Sequence, residues 1–369
     1  MKALKSTIAF AAAIFCLASC APKQETATSA IDTLTLDQYD PVSVFNVPVH
    51  IPMHAKFNVI DMHSHAFRDN VEQIKEWAKI LDDNHVDRVV INTYAHGDEF
   101  ERLYDLYKGV SDKFEMWCGF NYDDFGTPEF AATAIADLER CVAKGAKGVG
   151  ELGDKGFGES YCTRPKATAH INDPCFDPIL EKCGELGLPI NFHAGDPIWM
   201  YLPIDEHNDG LTNAGKWAID PNQPGILGLE EVVETVIEAV AKHPNTIFIG
   251  AHFLNISHEY DKLAEYLDKY PNLYVDNSAR HYETCVTPRA TKAFYEKYQD
   301  RIIFGTDDYA RQEMYSLVWR ILETEDEHFY AMKGESLTGS YHWPLFGLGL
   351  SDEVLKKVYH DNAVKIMGY

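Results

Sequence analysis

The chain has 369 residues, 46% of them hydrophobic, and carries 57 Asp and Glu against 33 Lys and Arg, a formal net charge of −24. Long-range repulsion from so acidic a surface works against nucleic acids and anionic membranes as partners, while leaving the chemistry of a local pocket open. Beyond the N-terminal segment, no run approaches the roughly 18 consecutive apolar residues that a spanning helix needs.

The chain opens with Met-Lys-Ala-Leu-Lys, continues as an apolar run over 8–17, and reaches Leu17-Ala18-Ser19-Cys20. Basic, then apolar, then small is the order of a secretory signal. The cysteine after the small pair makes the segment resemble a bacterial lipoprotein signal, which implies export and lipid attachment at Cys20; a plain signal peptide is the alternative. Membrane contact would then run through the lipid alone. Residues 21–35 are small and polar and predict a flexible tether. Residues 36–369 remain for one large α/β domain.

Cys118, Cys141, Cys162, Cys175, Cys183 and Cys285 lie in that domain. In an exported chain disulfides persist, and the nearest pair within one expected loop is Cys162 with Cys175; buried, unpaired thiols are the alternative. No close Cys-x-x-Cys pair suggests a thiolate metal site.

From residue 57 onward short β-rich runs alternate with segments of helical spacing, the pattern of parallel strands joined by crossover helices. The strand candidates are 57–62, 86–93, 114–120, 146–152, 188–192, 246–251, 272–276 and 301–305. Apolar residues at three- and four-residue steps over 71–84, 129–144, 229–243 and 288–299 predict helices between them. Eight repeated units predict a closed (β/α)8 TIM barrel, since a doubly wound sheet usually stops at five or six strands.

Three connections are longer than the usual two to six residues: 153–173, 195–228 and 308–349, the last with a helix expected over 313–323. They follow expected strands four, five and eight at the C-terminal face, where barrels hold their active sites, and so predict walls and a lid. The second carries Trp199, Tyr201, His207 and Trp217, which either stack on a ring substrate or pack within the lid.

The first strand closes with Asp61-Met-His63-Ser-His65. Residues two apart on a strand share a face, so both imidazoles can turn toward one point. Glu151, His193, His252 and Asp307 stand at the ends of the fourth, fifth, sixth and eighth expected strands. Gathering that much imidazole and carboxylate at one rim is costly unless a cation compensates. Asp61 is expected to orient a ligand or to cap the strand. Arg280 and His281, after the seventh strand, are candidates for holding an anionic group of a small-molecule substrate, with a surface salt bridge as the alternative for the arginine.

At these residues the chain resembles the amidohydrolase superfamily, in particular its amidohydrolase-related, or family 2, branch. The resemblance runs from Phe57 to Gly368 and rests on Asp-Met-His-Ser-His, the single histidines after strands five and six, Ile-Ile-Phe-Gly-Thr-Asp, and the closing Asn-Ala-Val-Lys-Ile-Met-Gly. It implies that His63, His65, His193 and Asp307 bind a divalent metal, that His252 binds a second ion or acts as an acid-base group, and that Glu151 is a bridging ligand if there are two ions. Zinc is the default for such nitrogen and oxygen donors, with manganese compatible. An ion of this kind acidifies water and polarises a carbonyl, with Asp307 taking and returning the proton. The expected reaction is hydrolysis of an ester, lactone or amide. Nonoxidative decarboxylation of an aromatic or unsaturated acid, and a surface-anchored binding protein without catalysis, are the alternatives.

Overall fold

A computed structural model describes residues 30–158, 168–309, 311–331 and 341–368, together with the backbone of Ser160–Tyr161 and Arg164–Pro165. The signal segment with Cys20, the tether up to residue 29, and Cys162 with its pairing to Cys175 lie outside the described residues. Cys118, Cys141, Cys183 and Cys285 are buried free thiols.

The N-terminal unit ends at Tyr39 and contains two short helical turns, Ala30–Thr33 and Leu36–Gln38. The unit that begins at Asp40 carries the barrel. Its parallel strands are β1 Val59–His65, β2 Val86–Asn92, β3 Phe114–Trp117, β4 Val149–Asp154, β5 Ile190–Ala194, β6 Phe248–Gly250, β7 Leu273–Asp276 and β8 Ile302–Ile303. Residues 160–161 and 164–165 pair separately as a short antiparallel ribbon.

Neighbouring strands pair in parallel from β1 to β3 and from β4 to β8. A bridge between Cys118 and Val149, with Gly150 N donating to Cys118 O at 2.8 Å, joins β3 to β4. The ring closes where Met62 N donates to Phe304 O at 2.8 Å and Thr306 N to His63 O at 3.2 Å. The eight predicted strands thus form the predicted barrel.

Amphipathic helices cover the outside: α1 Val71–Asp83, α2 Gly97–Lys108, α3 Phe130–Lys144, α4 Asp177–Leu186, α5 Leu229–Lys242, α6 Tyr260–Lys269, α7 Pro288–Tyr298 and α8 Gln312–Glu323. Ile74, Trp77 and Leu81 of α1 show the reason for the arrangement: they recur at three- and four-residue steps and are all buried. Asn70 caps that helix by accepting from Gln73 N at 3.0 Å.

Alternate strand residues divide the core into two layers. Val59, Val89, Ile91 and Val149 pack outward against the helices, whereas Ile60, Met62, Val90, Trp117, Ile249 and Ile303 fill the barrel interior. Gly148 admits the Trp117 ring, because a Cβ there would stand 2.4 Å from it. The C-terminal helical segment that ends as Asn362–Met367 adds Ala363 and Ile366 to the interior layer.

The strand ends differ from expectation where the backbone turns into the rim. β1 runs on to His65 rather than stopping at 62, so both histidines are strand residues. β6 stops at Gly250 because His252, Phe253, Leu254 and Asn255 all adopt left-handed φ, between 54° and 58°. The long connection after β5 contains the 3-10 turn Ile198–Tyr201 and the short helix Leu211–Trp217.

Candidate metal centre

β1 delivers His63, fully buried, and His65 to the rim. Three of the four rim imidazoles are fixed through Nδ1. His63 Nδ1 lies 2.9 Å from Asp276 Oδ2, His65 Nδ1 lies 3.0 Å from Asn92 O, and His252 Nδ1 lies 2.9 Å from Ser278 O. Carbonyl and carboxylate oxygens only accept, so all three Nδ1 atoms donate and their Nε2 atoms are left as lone pairs pointing into the rim.

Those lone pairs meet carboxylates. Glu151 Oε1 lies 3.5 Å from His63 Nε2, 3.4 Å from His252 Nε2 and 3.2 Å from His193 Nδ1, and its Oε2 lies 3.7 Å from His65 Nε2. Asp307 Oδ1 stands 3.0 Å from His65 Nε2, and Oδ2 stands 3.9 Å from His252 Nε2. Lone pairs facing carboxylates repel unless a cation sits between them. His63 Nε2 is buried without a hydrogen-bond partner, as a ligand atom would be.

The charge balance carries the same demand. Burial pushes the His63 imidazole down, but Asp276, Glu151 and Asp307 outweigh it and raise it to about 10, so the carboxylates around Nε2 call for a positive charge there, which either a proton or a metal ion supplies. Burial would raise Glu151 and Asp307; the surrounding imidazoles instead hold both below the usual carboxylate range. Burial keeps His252 below the ordinary histidine value.

Ligand-capable atoms of His63, His65 and Glu151 lie within 4.8 Å of one another, as do those of Glu151, His193 and His252, and those of His63, His252 and Asp276. The donor set is imidazole and carboxylate at a strand rim, and it fits a divalent ion.

All six expected ligands, His63, His65, Glu151, His193, His252 and Asp307, come together. Asp61 sits behind them: it accepts from His63 N at 3.2 Å and from Thr306 N at 3.0 Å, tying β1 to the residues after β8. Burial raises its carboxyl to about 7.

The four residues expected to meet substrate each have a contact within the protein. Arg280 donates through Nε to Asn255 Oδ1 at 2.9 Å and through Nη1 to Ala279 O at 3.0 Å, and lies 3.4 Å from Glu283. His281 is 2% exposed, packs against Phe304, and is lowered by burial to about 3, so it is uncharged and offers an anion no cation. Trp199 packs on Trp343 at 5.3 Å, joining the connections after β5 and β8. The Tyr201 hydroxyl accepts from Asp196 N at 3.2 Å.

Asp276 was not singled out from sequence, although it closes β7 as Asp307 follows β8. Its Oδ1 accepts from His252 N at 2.9 Å and from Ser278 N at 3.1 Å, while Oδ2 takes His63. A cleft of about 1030 Å³, lined by Tyr94, Asn121, Tyr122, Asp137 and Glu151 among others, opens beside the centre.

A family model described as amidohydrolase matches residues 60–368. The chain belongs to the amidohydrolase family. The amidohydrolase resembles, in fold, an uncharacterized TIM-barrel protein from Bordetella bronchiseptica at 12% identity and TM-score 0.52, covering 84% of this chain and 98% of that one. It also resembles a proposed amidohydrolase from Staphylococcus aureus at 16% identity and TM-score 0.51, covering 85% of this chain and 100% of that one. No curated protein matches it significantly. The amidohydrolase is therefore a metal-dependent enzyme of hydrolase type, and its six rim residues lie where the barrel architecture puts catalysis.

Proposed function

We propose that this amidohydrolase hydrolyses an ester, lactone or amide bond of a small molecule, using two divalent ions that would be held by His63, His65, Glu151, His193, His252 and Asp307. The observation that carries the reading is the position of Glu151. It is 2% exposed and belongs to two ligand-capable triads at once, one on the β1 side and one on the β5 and β6 side. Its Oε1 faces His193 and His252 while its Oε2 faces His65, the arrangement that a carboxylate shared by two ions would need. Zinc suits the donors.

The ions would supply Lewis acidity toward a carbonyl and toward water. The protein's own part is separable from that. Asp307 has a side chain 22% exposed against 1% for Glu151, so it is the carboxylate that can reach a substrate. Its role is to accept a proton from the attacking water and return it to the leaving group. Asp276, Asn92 and Ser278 fix the imidazole orientations, and Asp61 holds the β1 rim against Thr306.

Metal analysis of zinc-loaded protein combined with an ester, lactone and amide panel tests the reading. Two ions per chain with turnover of one panel member is the expected result. One ion per chain with carbon dioxide released from an aromatic acid would replace it with a decarboxylase, and ligand binding with no turnover of any kind would make the barrel a binding protein.

For the N-terminal segment we propose lipid attachment at Cys20 and export to a bacterial membrane, on the Leu17-Ala-Ser-Cys20 order alone. Mass analysis of the mature N-terminus is expected to find a lipid-modified Cys20; an unmodified terminus elsewhere would remove the anchor.

A further inference from the structure

Tyr94 follows β2 and is absent from the ligand set above. Its ring stacks on His65 with centroids 4.8 Å apart and planes 23° from parallel. Its hydroxyl lies 2.8 Å from His65 Nε2 and 3.4 Å from Glu151 Oε2. Because His65 Nδ1 is committed as donor to Asn92 O, Nε2 is an acceptor and the phenol donates.

The backbone that presents this ring is unusual. Tyr94 has φ 57°, a region that residues with a side chain seldom adopt. The surroundings hold it there: Tyr94 N donates to Gly150 O at 3.3 Å, Ala95 N to Thr93 Oγ1 at 3.2 Å, and Gly119 N to Ala95 O at 2.7 Å. Residue 119 must be glycine for this path, since a Cβ would stand 2.3 Å from Tyr94 O. Strain maintained from several sides is a mark of a functional position. The same residue lines the cleft of about 1030 Å³, so its hydroxyl stands where that cleft meets Glu151 and His65.

We propose that Tyr94 contacts the substrate, its hydroxyl donating a hydrogen bond to the carbonyl oxygen of the bond that is hydrolysed. This rests on the hydrolase reading above. An ion held by His65 would take the lone pair to which the phenol donates, and the phenol would then donate to a carbonyl oxygen brought in along the cleft. A fixed donor there stabilises the negative charge that develops on that oxygen during attack. No proton leaves the tyrosine; the bond is electrostatic.

The test uses zinc-loaded full chain and acetohydroxamate, a small metal-seeking carbonyl compound, with affinity measured by calorimetry and zinc by elemental analysis. Tyr94→Phe keeps the ring stacked on His65 and removes only the hydroxyl. The expected result is unchanged zinc content, unchanged thermal midpoint, and acetohydroxamate bound roughly 10- to 100-fold more weakly, the size of one hydrogen bond to a charged partner. Equal affinity in the variant, or no binding to the zinc-loaded parent, would overturn the proposal and leave the metal centre standing. Loss of zinc from Tyr94→Phe would also overturn it, by making the tyrosine a ligand. A parent chain that takes up no zinc would bring down this inference together with the hydrolase reading.

Discussion

His63 is committed at both ends of its ring. Nδ1 is held 2.9 Å from Asp276 Oδ2, and Nε2 is left toward Glu151 and Asp307. Carboxylates behind metal-binding histidines fix the tautomer and raise ligand basicity, and losing one typically costs roughly 10- to 100-fold in metal affinity or activity. Asp276→Asn is therefore expected to weaken zinc binding by about that factor, read by competition with a chromophoric chelator; unchanged affinity would reduce Asp276 to packing. Asp307→Asn should behave differently. If Asp307 carries the proton, the variant stays folded and turnover on the panel substrate falls by roughly two or more orders of magnitude, whereas near-normal turnover would remove it from that role. The six rim residues were legible in sequence because each stands at the end of a β-rich run. Asp276 satisfies the same rule but reads as an ordinary strand-end acid, since the sequence does not show which carboxylate will face a histidine across the barrel. Tyr94 was illegible for a different reason: its placement depends on a left-handed backbone that no side-chain pattern announces.

Between β6 and α6 the chain does something that periodicity cannot forecast. Four consecutive residues, His252 to Asn255, sit at left-handed φ and end the strand early. Such a run costs about 1–2 kcal/mol per residue and needs compensation nearby. Asn255 supplies part of it: Nδ2 donates to Ala194 O at 3.0 Å and Gly195 O at 3.2 Å, and Oδ1 accepts from the Arg280 guanidinium. One side chain thus fastens the ends of β5, β6 and β7 just behind His193 and His252. Asn255→Ala would leave two carbonyls and a buried guanidinium short of partners, so we expect a loss of about 2–4 kcal/mol in urea unfolding. Metal affinity should fall with it, since the turn that carries His252 is loosened; a loss under about 0.5 kcal/mol would mean that water replaces the amide. The strands themselves were legible as elements because hydrophobic runs separated by amphipathic helices are a whole-segment signal. Their ends were not, because bending at the rim is set by bonds between strands far apart in sequence, such as Asp307 N to His63 O at 2.7 Å.

The barrel closes through β8 against β1, and the segment before β1 adds a second fastening that the strand count does not reveal. Residues 50–56 run across α8 and the chain beyond it: His50 N donates to Asp326 Oδ2 at 2.8 Å, Lys56 N to Glu323 Oε1 at 2.9 Å, and Ser316 Oγ to Pro52 O at 2.5 Å. Asp326 is the centre of this clasp. Its side chain is buried and also accepts from Arg320 Nε at 2.7 Å. Burial works to raise its carboxyl, but the His50 and Arg320 contacts prevail and hold it below the usual range. A carboxylate lowered on folding binds its proton less readily in the folded state, so the unfolded chain takes up protons first as pH falls. The stability due to Asp326 is thus complete above the unfolded value of about 3.9 and is lost as pH drops through the lower folded value. Asp326→Asn should cost about 2 kcal/mol at neutral pH, with exposed His50 contributing less than Arg320. The decisive comparison is the slope: between pH of about 4 and about 2 the parent should lose more stability than the variant, and the two curves should converge at the acid end. Parallel curves through that window would show that the clasp holds the N-terminal segment by shape and not by charge.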